Sequence, residues 1–69
     1  MTPTTRGSAA ERFSRLFRKA GVLLGKGRRR EALAVLREGE ALARALGDEG
    51  KAALFREEIT RCENCLRDR

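Results

Sequence analysis

The chain contains no histidine, no tryptophan and no tyrosine, and only one proline and two cysteines in 69 residues. Without histidine, neither a Ser–His nor a Cys–His nucleophile pair can be assembled. Two cysteines three apart, Cys62 and Cys65, do not make a disulfide framework, and a reducing, cytoplasmic setting is the expectation. No run of 18 apolar residues is present, which excludes a membrane-spanning helix. The N-terminal MTPTTRGSAAERF lacks the apolar core of a secretory signal. The Gly25-Lys26-Gly27 turn lacks both the spacing of a phosphate-binding loop and a preceding strand. Glu57-Glu58 reads as a solvated charge pair. Neither an enzymatic activity nor a cofactor is expected.

What remains is alanine, leucine, arginine and glutamate, all strong helix formers, with few β-branched or aromatic residues. A chain this short makes one domain and a small core, with little room for an enclosed pocket. Within Arg28–Leu46, Ala32, Leu36, Gly39, Ala43 and Leu46 recur at i, i+4, i+7, i+11 and i+14, a narrow apolar stripe on a helix. One flank of that stripe carries Arg30, Arg37 and Arg44; the opposite side carries Glu31 and Glu38. A helix so polarised needs neighbours, and the chain supplies one before it and one after.

Residues 1–7 read as a flexible tail, leaving 8–69 as a single domain. Ser8 and Glu11 form an S-x-x-E capping box for a first helix over about 9–26. Its stripe is Phe13, Phe17, Ala20 and Leu24, widened by Leu16 and Leu23, with Val22 facing away. Gly27 closes it, and a connection so short turns the next helix, about 28–46, back antiparallel. Gly47 ends that helix and Asp48 caps a third over about 49–66. The third stripe is Ala52, Phe55, Ile59, Cys62 and Leu66. The expected fold is all-α, an up-down-up antiparallel three-helix bundle.

From Ala20 to Ile59 the residues resemble a tetratricopeptide repeat followed by the first helix of a second. The resemblance rests on Ala20 twelve before Ala32, Gly27 in the turn, Glu31-Ala32-Leu33 opening the second helix, Leu36, and small Gly39. The variant resembled has a longer second helix ending in a Leu-Gly-Asp turn. The usual aromatic slots hold Leu16 and Leu23, and the closing proline is missing. With three helices, the chain also resembles the MIT (microtubule-interacting and transport) domain over roughly residues 10–66. Both resemblances imply a non-enzymatic module that binds helical or extended segments of other proteins between its helices.

Charge is unevenly placed. Residues 1–30 carry nine Arg/Lys against one acid, a balance of +8, whereas residues 31–69 carry seven against nine, a balance of −2. Such asymmetry points to an acidic partner, whether protein, nucleic acid or anionic membrane surface, or to a highly soluble basic protein with none. The leading expectation is a docking module for an acidic, apolar-anchored peptide or helix of another protein. Arg30, Leu33, Arg37 and Arg44 form the candidate contact surface, and Lys26, Arg28 and Arg29 an adjoining basic patch. A basic nucleic-acid-binding protein is one alternative, using these cations with Arg12, Arg15, Arg18 and Lys19 on phosphates. A homodimer is the other, with Cys62 and Cys65 of two copies completing a Cys₄ zinc site. Otherwise the two cysteines are small core and core-margin residues.

Overall fold

A computed structural model of the protein describes residues 9–67, with side chains described through residue 64. Three helices follow one another: α1 (Ala9–Gly25), α2 (Arg29–Ala45) and α3 (Glu49–Arg67). Each boundary lies within one residue of the expected one, and no strand occurs among the described residues. The fold is an all-α three-helix bundle running up, down and up. The capping box at Ser8 and the tail lie outside the described residues, as do the side chains of Cys65 and Leu66.

The two turns are built alike, and the reason is glycine. Gly27 and Gly47 adopt φ of +78° and +74°, the left-handed region that a Cβ disfavours. That conformation lets Arg28 N–H donate to Leu23 O at 2.8 Å and Gly27 N–H to Leu24 O at 3.0 Å. Twenty residues on, Asp48 N–H donates to Ala43 O at 2.8 Å and Gly47 N–H to Arg44 O at 3.1 Å. Each turn is therefore a Schellman motif whose last residue also begins the next helix. They differ in capping. Asp48 Oδ1 accepts from Lys51 N–H at 3.1 Å, whereas Arg28 makes no side-chain cap.

Packing centres on α2, which is covered by α1 on one side and α3 on the other. Its buried residues are Ala32, Val35, Leu36, Gly39 and Ala43. Small side chains there let the neighbours come close, and Phe55 of α3 uses the space above Gly39. The Phe55 ring, fully buried, stacks on Phe17 at 4.4 Å between centroids and meets Phe13 at 5.8 Å. Three rings from two helices thus close the bundle over the middle one. Burying a side chain of this size stabilises by about 1.5–3 kcal/mol, and each ring pair adds about 0.5–1.5 kcal/mol.

Two departures from the expected stripes have local causes. Leu46, expected in the α2 stripe, is 54% exposed because α2 ends at Ala45 and the chain turns away there. Val35, off the narrow stripe, is buried because a helix covered on two sides hides a wider arc. Val22 faces solvent as expected.

Candidate functional site

Two grooves run beside α2. The α2–α3 seam holds most of the residues anticipated for partner contact. Arg37 Nη2 donates to Glu63 Oε2 at 2.9 Å across the seam. Glu40 Oε2 accepts from Arg44 at 2.9 Å and from Arg56 of α3 at 3.3 Å. Leu33, half-buried, packs against the core beside them. Arg30 is exposed and has no ion pair among the described residues. Thus the anticipated surface is assembled, but Arg37 and Arg44 already hold carboxylates of their own chain. At the turn end of this seam a cleft of about 530 Å³ is lined by Arg44, Gly47, Glu49, Ala52, Ala53 and Arg56.

The anticipated basic patch lies at the start of α2. Lys26 and Arg28 are exposed, and Arg29 is half-buried. Arg28 lies 3.8 Å from Glu31, the acid of that first turn. The Arg29 carbonyl accepts from the Cys62 thiol at 3.6 Å, which ties the end of α3 to the start of α2. Cys62 is buried, 4% exposed, among the core residues. Among the described residues no group of three or more His, Cys, Asp or Glu could hold a metal ion.

The groove between α1 and α2 has a different chemistry. A space of about 430 Å³ is lined by Arg12, Arg15, Leu16 and Lys19 from α1 and by Glu38 and Leu42 from α2. Leu16 and Leu42, half-buried, form an apolar floor, and the charged residues are exposed around it. None of Arg12, Arg15 and Lys19 has an ion pair among the described residues. By contrast Arg37, Arg44, Arg56 and Arg61 are each paired, the last with Glu58 at 3.1 Å. Among the described residues, the cations left without an internal carboxylate therefore gather on α1, the first turn and the start of α2, with Lys51 of α3 the exception.

Arg12, Arg15 and Lys19 were legible only as part of a general basic cluster. They recur at i, i+3 and i+7, one helical stripe. Leu16 lies four after Arg12 and three before Lys19, which is the signal that the stripe borders an apolar position. That Leu42 and Glu38 complete the groove depends on how α2 packs. No protein family, curated protein or solved structure matches the chain. No helix among the described residues is long and apolar enough to cross a membrane.

Proposed function

We propose that this chain is a non-enzymatic docking module, organised like a tetratricopeptide-repeat or MIT three-helix unit, that receives an acidic, apolar-anchored segment of another protein beside α2. The observation that carries the reading is the pairing of an apolar groove floor with cations that lack internal partners. Exposed ion pairs contribute only about 0.2–1 kcal/mol each, so apolar contact must supply most of the affinity and charge most of the selectivity. Arg30 and Leu33 offer a second, weaker point of contact along the α2–α3 seam.

The test uses a labelled acidic model peptide whose leucines lie on one helical face, and a second of the same composition with that face scrambled. Fluorescence anisotropy at moderate salt should give clearly tighter binding of the first. Equal binding of both would mean that charge alone is read, and the docking function would be lost.

Nucleic-acid binding is supported by the same surplus of cations. It lacks a free stacking surface, since Phe13, Phe17 and Phe55 pack on one another.

A further inference from the structure

The two grooves beside α2 are not equivalent receptors. A partner carboxylate entering the α2–α3 seam would have to displace Glu63 from Arg37, or Glu40 from Arg44 and Arg56. One ion pair would replace another, with little net gain. In the α1–α2 groove the same carboxylate would form a new pair with Arg12, Arg15 or Lys19 and displace only water.

Resting on the docking reading above, we propose that the α1–α2 groove binds an amphipathic acidic helix of another protein. Its apolar stripe would lie on Leu16 and Leu42, with carboxylates toward Arg12, Arg15 and Lys19. Arg12 and Lys19 are seven residues apart, so they line up on α1 roughly 10 Å from one another along its axis. Leu16 lies between them. A partner helix meets that pattern with acids at i and i+7 flanking an apolar residue. Glu38 stands on the opposite rim and asks for one basic or amide side chain from the occupant. A partner helix suits the space because the ridges of α1 and α2 form its walls, and α3 already packs on the other flank of α2 in this way. A phosphate backbone fits less well: it would make no use of the leucine floor and would be repelled by Glu38.

The experiment compares the full chain with two reversal variants, Arg12→Glu/Arg15→Glu/Lys19→Glu and Arg37→Glu/Arg44→Glu, against the labelled acidic peptide helix. The first variant should bind roughly tenfold more weakly or worse, and the second within about twofold of the parent. A peptide with lysine in place of glutamate should bind the first variant better than it binds the parent. That exchange excludes misfolding as the cause of the loss. Loss only in the Arg37/Arg44 variant would overturn the groove assignment and leave the docking reading standing. If neither variant changes the affinity for the helical peptide, the assignment also fails. A DNA duplex that displaces the peptide, with binding that collapses as salt rises, would overturn the choice of occupant. Failure of the parent to distinguish the peptide from its scrambled-face counterpart would instead end the docking reading itself.

Discussion

The ring of Phe55 fills the volume that a side chain at Gly39 would need, so a Cβ built on Gly39 would overlap it. Glycine in mid-helix is normally unfavourable by about 0.5–1 kcal/mol relative to alanine. Here close approach of α3 requires it. Gly39→Ala should therefore destabilise the fold despite alanine's propensity, by about 1–3 kcal/mol of overpacking less that gain. Gly21 provides the control: nothing lies within 4 Å of a Cβ there. Gly21→Ala should stabilise by about 0.5–1 kcal/mol. Thermal melts of both variants check the pair, and equal shifts of one sign would contradict this packing.

Glu40 holds two guanidiniums, from α2 and α3, with its own side chain only 19% exposed. Glu40→Gln should weaken the α2–α3 seam by about 1 kcal/mol, more than the loss of the better exposed Glu63 in Glu63→Gln. Raising the salt should shrink the difference between parent and variants. Denaturant unfolding at low and high salt reads both effects.

Asp48 caps α3 through Lys51 N–H, while Arg28 begins α2 without such a bond. Asp48→Ala should cost about 0.5–2 kcal/mol, whereas Arg28→Ala should change stability little. A cap-like loss at Arg28, seen in chemical unfolding, would contradict the difference drawn between the two turns.

Burial of Cys62 against the Arg29 carbonyl predicts slow alkylation in the folded protein and fast alkylation once it unfolds. Mass spectrometry of labelled peptides separates Cys62 from Cys65. A zinc-bridged dimer predicts instead that a chelator lowers both the melting temperature and the sedimentation coefficient.

Helix boundaries, both glycine turns and most of the core could be read from the residues, because period and capping are local properties. Phe13, Ala20, Ala32, Leu36, Phe55 and Ile59 are all buried as their spacing implies. Leu46 misled because a periodic pattern does not show where the helix will stop. Val35 is buried outside the α2 stripe because a single stripe describes a helix with one neighbour, and α2 has two. Arg30, Arg37 and Arg44 could be placed on one flank, yet their partners could not. Glu63 reaches Arg37 only after α3 has folded back, across 26 residues of chain. The α1–α2 groove stayed hidden for the same reason, as its two rims come from different helices.

The central claim, that the α1–α2 groove receives an acidic helix, is tested most directly by NMR. Backbone amides of the isotope-labelled chain would be followed during titration with the acidic peptide helix. Shifts concentrated at Arg12, Arg15, Leu16 and Lys19, with Arg56 and Glu63 unmoved, are the predicted result. Shifts centred on Arg37, Arg56 and Glu63, with Arg12 to Lys19 silent, would contradict it.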